Sequence, residues 1–281
     1  MPGTLFVVAT PIGNLEDVTL RALRVLKEAD LIAAEDTRRT SKLLAHHGIQ
    51  TPTLSFHQHN IRLRLPRLLA RLEAGERVAV VSDAGTPGIS DPGVELVRAC
   101  IDRGIHVEPV PGASAPLAAA MASGFPLTPL TIAGFAPSRS KDRALWFDAV
   151  SRIPNTLVFF EAPHRIRRTL TEGLVIFGDR PIVVARELTK VHEELLYGTT
   201  AGVIGQLTDL RGEFTVVVGP AGAVEAPESS ATPEDIADQF GHMTAAGALG
   251  RRGIISELAK QHGRSSREVY DIIERAKKSV E

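Results

Sequence analysis

Short apolar runs alternate with longer stretches in which apolar residues return every three or four positions, and the alternation continues from Leu5 to Val218. In the first half the runs at 5–9, 31–34, 54–56, 77–82 and 107–110 predict strands. Between them, helical spacing predicts a helix carrying Leu20, Leu23 and Leu26 on one face, and further helices at 39–47, 61–73, 94–103 and 115–123. Val78 to Val81 is apolar without interruption, the pattern of a strand buried on both faces, so a mostly parallel sheet covered by helices is expected. After Gly124-Phe125-Pro126 the pattern starts again, with strands at 130–135, 156–160, 182–185, 194–197 and 214–218 and helices near 144–150 and 165–177.

This pattern divides the chain into an N-terminal α/β domain (1–115) and a C-terminal α/β domain (116–220). Residues 221–233 are small, polar and interrupted by proline, the composition of a linker. Beyond them, 234–281 reads as a small helical extension. Segments 254–261 and 266–278, joined by 262–265, have helix-turn-helix spacing, with Ser265 or Ser266 as N-cap.

At 281 residues the chain is long enough for two domains with substantial cores, and its 43% hydrophobic content is that of a globular protein. One cysteine, Cys100, leaves no disulfide framework or thiolate metal cluster, which fits a reducing cytoplasm. No run reaches bilayer-spanning length and the amino terminus lacks a basic n-region, so neither a membrane span nor a signal peptide is expected.

Charge changes the picture locally. The formal net charge is −1, yet between Asp36 and Arg71 seven basic residues face one acid, with Arg64, Arg67 and Arg71 on one helical face as a row able to track phosphates. Arg139, Lys141 and Arg143 in an expected loop, with Arg165, Arg167 and Arg168, form a second cluster. The tail from Arg251 carries net +3. Each cluster alone could be a solvated face; three in a nearly neutral chain point to an anionic polymer.

The loop from Ser82 to Gly93, SDAGTPGISDPG, follows the buried strand. Its glycines permit close backbone approach and its prolines stiffen it, at the strand end where open α/β sheets bind ligands. There is no G-x-G-x-x-G after the first strand and no G-K-[ST] loop, which argues against dinucleotides and nucleoside triphosphates. Asp83 and Asp91 line a pyrophosphate poorly but suit hydroxyls, amines or a cation. S-adenosylmethionine offers all three without phosphate. Capping of the turn is the competing role for both aspartates.

Two polar stretches end later strands: Glu161 to Arg165, and Arg186 to Lys190. They are either site residues or buried ion pairs bracing the two halves. The histidine pairs His46-His47 and His57-Gln58-His59 lack a third partner at metal-ligand spacing, so no metal is expected.

Taken in order, Thr10 to Asp17 (TPIGNLED), Ala34 to Arg38 (AEDTR), Ser82 to Gly93, Val110 to Ala115 (VPGASA) and Phe159 to Arg165 (FFEAPHR) resemble the tetrapyrrole methylase, or class III, family of S-adenosylmethionine-dependent methyltransferases, in its branch acting on ribosomal RNA. The resemblance implies two α/β domains with the methyl donor in the cleft between them and a homodimer. It implies 2′-O-methylation of a cytidine in the decoding region of 16S ribosomal RNA, on the RNA or the small subunit. It places donor contacts on Pro11, Gly13, Asp83, Gly85, Thr86, Ile89, Ser114, Ala115, Phe160, Ala185 and Thr215.

For the base or cation that would assist a 2′-hydroxyl, Glu161, His164, Glu187 and Lys190 are candidates. On the substrate side stand Asp36, Arg38, His59 and Asn60, with Arg64, Arg67 and Arg71 for RNA phosphates. The alternatives are a tetrapyrrole methyltransferase of the same fold and a non-catalytic RNA-binding assembly factor.

Overall fold

The computed structural model describes residues 2–89, 93–221, 232–246, 250, 251, 253–255, 258 and 266–278. Contacts divide the chain into two compact units, Met1–Pro220 and Ala221–Glu281. The first contains two five-stranded sheets.

The first sheet comprises β1 (Thr4–Val8), β2 (Leu31–Ala34), β3 (Thr53–Ser55), β4 (Arg77–Val81) and β5 (His106–Val110), all parallel in the order β3-β2-β4-β1-β5. Its alternate side chains are sorted to opposite faces. Phe6, Val8, Ile32, Ala34, Ala79 and Val81 meet α1 (Leu20–Glu28) and α2 (Thr37–His46). Leu5, Leu31, Ala33, Val78 and Val80 meet α3 (Ile61–Glu73) and α4 (Gly93–Ile101). A strand apolar at every position is thus filling two cores at once.

The second sheet holds β6 (Leu130–Phe135), β7 (Thr156–Glu161), β8 (Pro181–Arg186), β9 (Glu194–Thr199) and β10 (Phe214–Val218), in the order β6-β7-β10-β8-β9. The parallel expectation fails here: β10 runs antiparallel to both β7 and β8, and β9 antiparallel to β8. The chain between β8 and β9 is short enough for direct reversal, and no crossover helix is required. One face packs on α6 (Ser140–Ser151), α7 (Ile166–Phe177) and α8 (Thr200–Gln206), the last of which the sequence pattern did not predict. The other face receives α5 (Ala115–Ala122), whose Ala119 and Ala120 allow close approach, together with Ile12 from the first half.

In the second unit, α9 (Pro233–Ala246) opens with a reciprocal cap. Asp235 N–H donates to Thr232 Oγ1 at 3.2 Å, and Thr232 N–H donates to Asp235 Oδ2 at 2.8 Å. Ile236, Phe240, Ile254, Ile255 and Leu258 share a core with Val269 and Ile273 of α10 (Ser266–Lys278). The joint proposed at 262–265, the linker residues 222–231 and Asp91 lie outside the described residues. Among the described residues no helix is long and apolar enough to cross a membrane.

Candidate functional site

The carboxyl ends of the parallel strands are tied to one another by their loops. Thr10 and Gly85 exchange backbone hydrogen bonds of 2.9 and 3.0 Å, joining the turn after β1 to the loop after β4. Asp36 N–H donates to Asp83 Oδ1 at 2.8 Å while Asp83 N–H donates to Glu35 Oε2 at 3.1 Å, a reciprocal latch between the loops after β2 and β4. Thr86 Oγ1 donates to the Ala113 carbonyl at 3.1 Å, adding the loop after β5. Gly85 sits at φ 78°, and a Cβ there would approach Ile12 Cγ2 to 3.2 Å, so glycine serves both conformation and packing.

Opposite this rim stand the ends of β6, β7 and β8 and the start of β10. Between the two lies a cavity of about 410 Å³. Eight of the eleven donor residues implied by the resemblance line it: Asp83, Gly85, Thr86, Ile89, Ser114, Ala115, Phe160 and Thr215. Pro11 and Gly13 line a smaller adjoining cavity of about 220 Å³, and Ala185 is fully buried beneath, paired with Thr215. Phe135 and Phe160, with ring centres 5.1 Å apart, and Leu188 give the larger cavity apolar walls. Glu35, Asp83, Glu161 and Glu213 give it carboxylates.

Ser114 Oγ is buried at the wall of this cavity with no hydrogen-bond partner among the described residues. A buried hydroxyl left unsatisfied costs about 1–3 kcal/mol unless a ligand completes it. An unphosphorylated, partly cationic molecule with hydroxyl and amine groups fits this donor set: apolar walls, carboxylates and a free hydroxyl.

The turn after β1 also touches the loop after β8. A Cβ on Gly13 would come within 2.5 Å of Lys190 Cγ and 2.9 Å of the Leu188 carbonyl oxygen, and Asn14 N–H donates to Thr189 Oγ1 at 3.0 Å. Glu187 and Thr189 both hold positive φ, 50° and 65°, and for a β-branched threonine this is strained backbone.

The nominated catalytic groups differ in their freedom. Glu161 is wholly buried and committed: Oε1 accepts from Ala162 N–H at 2.7 Å and pairs with Arg165 at 2.6 Å, and Oε2 accepts from Thr169 Oγ1 at 2.6 Å. These contacts tie β7 to α7 within the C-terminal half and do not brace the two halves against each other. His164 is exposed and lines neither cavity, so it is not brought to the site. Lys190 lines the smaller cavity and pairs with Glu187 at 2.8 Å and Glu213 at 3.1 Å. Burial acts to lower its pKa, but these hydrogen bonds prevail and raise it, so the amine stays protonated. Burial likewise opposes ionisation of Glu187, yet Lys190 and the Glu213 N–H hold its carboxyl below the ordinary value.

The basic surfaces also change on folding. Arg143, expected in a loop, is buried within α6 against Glu172; Arg165 pairs with Glu161, Arg168 with Glu172, and Arg167 donates to the carbonyls of Ile204 and Leu207. The second basic cluster is therefore largely internal bracing. In the row on α3, Arg67 is exposed, Arg64 is half-buried with an unpartnered Nε, and Arg71 is paired with Glu76 at 2.5 Å, so the row is not uniform.

Asn60 is turned inward: its Oδ1 accepts from His57 N–H and its Nδ2 donates to the Ser55 carbonyl, leaving little for a substrate. His59 is exposed beside it. Asp36 caps α2 and pairs with Arg38 at 2.7 Å; the hydrogen bonds from Arg38 hold its carboxyl well below the usual range. Sequence reasoning passed over Glu35, Phe135, Leu188 and Glu213, which line the larger cavity, and Arg39 and Lys42, which line the smaller. Arg39 and Lys42 carried a signal as members of the basic run from Asp36 to Arg71, Glu35 and Leu188 lie within the stretches Ala34 to Arg38 and Arg186 to Lys190, and Phe135 and Glu213 carried none. Among the described residues no group of three His, Cys, Asp or Glu is placed to hold a metal ion.

Comparison with known proteins agrees with this architecture. Residues 4–204 match the family model for tetrapyrrole (corrin/porphyrin) methylases. The chain is 44% identical to the ribosomal RNA small subunit methyltransferase I of Halalkalibacterium halodurans, over 96% of this chain and 94% of that protein. It is 43% identical to the protein of the same name from Synechocystis sp., over 96% and 97%. Among solved structures it is similar to uroporphyrin-III C-methyltransferase from Thermus thermophilus complexed with S-adenosyl homocysteine. The TM-score is 0.55 at 23% identity, covering 79% of this chain and 100% of that one, a likeness of fold. With two α/β sheets closing on one cavity and a family match over most of its length, the chain belongs to the tetrapyrrole (corrin/porphyrin) methylase family.

Proposed function

We propose that this protein transfers the methyl group of S-adenosylmethionine to the 2′-hydroxyl of a cytidine in the decoding region of 16S ribosomal RNA, acting as the homodimer that the resemblance implies. The names of its relatives support RNA as acceptor, and the carrying observation for the donor is the unpartnered Ser114 hydroxyl in a cavity lined by carboxylates and phenylalanines. Gly85, Thr86, Ile89, Ser114 and Ala115 would hold the donor from one side, Phe160 and Thr215 from the other.

When bound, the donor supplies an electrophilic methyl carbon on a cationic sulfur that leaves as a neutral thioether. The carboxylates of Glu35 and Asp83 favour a cation there, because opposite charges a few ångströms apart in a partly desolvated cleft attract strongly. The braced loops fix the geometry in advance, which is the main contribution a protein makes to an in-line transfer. Protonated Lys190, held between Glu187 and Glu213, would favour ionisation of the ribose hydroxyl, whose proton passes to water as the oxygen takes the methyl group. Glu161, fully hydrogen-bonded, holds the end of β7 rather than accepting the proton.

The test is a methyl-transfer assay with labelled S-adenosylmethionine on small ribosomal subunits, free 16S RNA and a tetrapyrrole precursor, followed by nucleotide mapping. Label on a cytidine ribose is expected. Label on the tetrapyrrole, or no transfer to any substrate together with no donor heat in calorimetry, overturns the reading. Ser114→Ala should weaken donor binding about tenfold without lowering thermal stability, since the hydroxyl it removes has no partner among the described residues.

A further inference from the structure

The two adjoining cavities share a wall and differ in charge. Ile12, Arg39, Asp83 and Glu213 line both. The larger has four carboxylates against Arg39 alone, whereas the smaller gathers Arg39, Lys42 and Lys190 against Asp83 and Glu213. The larger cavity thus carries an excess of carboxylates and the smaller a slight excess of cations, with Arg39, Asp83 and Glu213 shared between them. A cationic sulfonium would be drawn to the first and an anionic phosphate to the second.

Within the smaller cavity the cations are not equivalent. Lys190 is taken up by Glu187 and Glu213, and Arg39 approaches Asp83 only to 3.7 Å. Lys42 is exposed, lies one helical turn beyond Arg39 on α2 and therefore shares its face, and among the described residues it forms no ion pair. Thr10, Pro11 and Gly13 close the opposite side with backbone, leaving a pocket of about 220 Å³, room for a phosphate and part of a sugar.

We infer that the smaller cavity is the acceptor subsite, in which Arg39 and Lys42 bind the phosphate flanking the target nucleotide and so set its ribose at the shared wall. The inference rests on the RNA reading above. Placement of the reacting hydroxyl then follows from a charge pair on α2, and the exposed arginines of α3 serve more distant phosphates.

The experiment compares Lys42→Ala and Lys42→Arg with the unaltered protein in three measurements. These are donor affinity by calorimetry, affinity for 16S RNA across a salt series, and kcat and KM for RNA. Lys42 is exposed, so the variants are expected to fold. For Lys42→Ala, RNA binding should weaken by about tenfold and the slope of log affinity against log salt should become shallower by about 0.7–1. KM should rise with kcat nearly constant, donor affinity should be unchanged, and Lys42→Arg should restore RNA binding. Weakened donor affinity would overturn the inference by assigning the cavity to the donor's own carboxylate. Unchanged RNA affinity and salt slope would overturn it as well. If the unaltered protein transfers no methyl to RNA, the parent reading fails; if it does and Lys42 is silent, only the subsite fails.

Discussion

Glu172→Gln is expected to destabilise the protein by about 2–3 kcal/mol, since it leaves the buried Arg143 without its counter-charge while solvent partly screens the half-buried carboxylate. Arg143 is only 1% exposed, and Glu172 receives it with both oxygens, Nε at 2.6 Å and Nη2 at 2.9 Å. The remaining nitrogen, Nη1, donates to the carbonyls of Pro137 and Ser138 at 3.0 and 2.9 Å. The pair therefore anchors the segment after β6, whose Phe135 walls the larger cavity. Glutamine keeps one acceptor and removes the charge. Chemical denaturation at neutral pH measures the loss, and a loss under 1 kcal/mol would show that the pair is solvated.

The same group makes stability depend on acid. Hydrogen bonding from Arg143, against the opposing effect of burial and with help from Arg168, lowers the Glu172 pKa from 4.5 to about 2. A carboxylate depressed in the folded state contributes in full above its unfolded pKa and progressively less as pH falls toward the folded value. The protein should therefore lose this contribution between about pH 4.5 and 2. Glu172→Gln should lack that part of the acid transition, and an identical acid profile in the two proteins would refute the assignment.

Gly13→Val is expected to reduce methyl transfer by about 100-fold or more while leaving secondary structure intact. The added side chain starts 2.5 Å from Lys190 Cγ, 2.7 Å from Thr189 Oγ1 and 2.9 Å from the Leu188 carbonyl oxygen. Lys190 can swing away, but the Leu188 oxygen belongs to a backbone already held at positive φ on both sides, so relief requires moving the whole loop. That loop carries Leu188 in the larger cavity and Lys190 in the smaller. A displacement near 1 Å in a positioning element typically costs about two orders of magnitude in rate. Single-turnover transfer, with circular dichroism as the folding control, checks it. A variant within threefold of the original rate would mean the loop yields without consequence.

These expectations drew on the sequence to different degrees. The first sheet was legible because a strand buried on both faces has no polar position, and Val78 to Val81 has none. The direction of β10 was not, since Thr-Val-Val-Val reads alike in either orientation and pairing is settled by chain connections far from the strand. The helix α8 escaped notice because its seven residues include two glycines.

At the site, Asp83 and Gly85 stood out through loop composition at a strand end, and Thr86 and Ser114, implied by the resemblance, line the same cavity. Glu35, Leu188 and Glu213 arrive from separate strands and share no local pattern. Arg143 was misplaced for a related reason. Its local neighbours are charged and polar, and its burial depends on Glu172, one helix later, which supplies the counter-charge.

Ile12 sits in the turn after β1, yet its side chain is buried against Val158, Val183 and Val217 of the second sheet and Ala119 and Ala120 of α5. The floor beneath the ligand cavity is therefore a continuous apolar core crossing from one half to the other. Swinging the halves apart like a hinge would bring that isoleucine and its neighbours into water, at roughly 1.5–3 kcal/mol for each large side chain uncovered. Separating the sheets would therefore carry an apolar cost that movement of the rim loops alone does not.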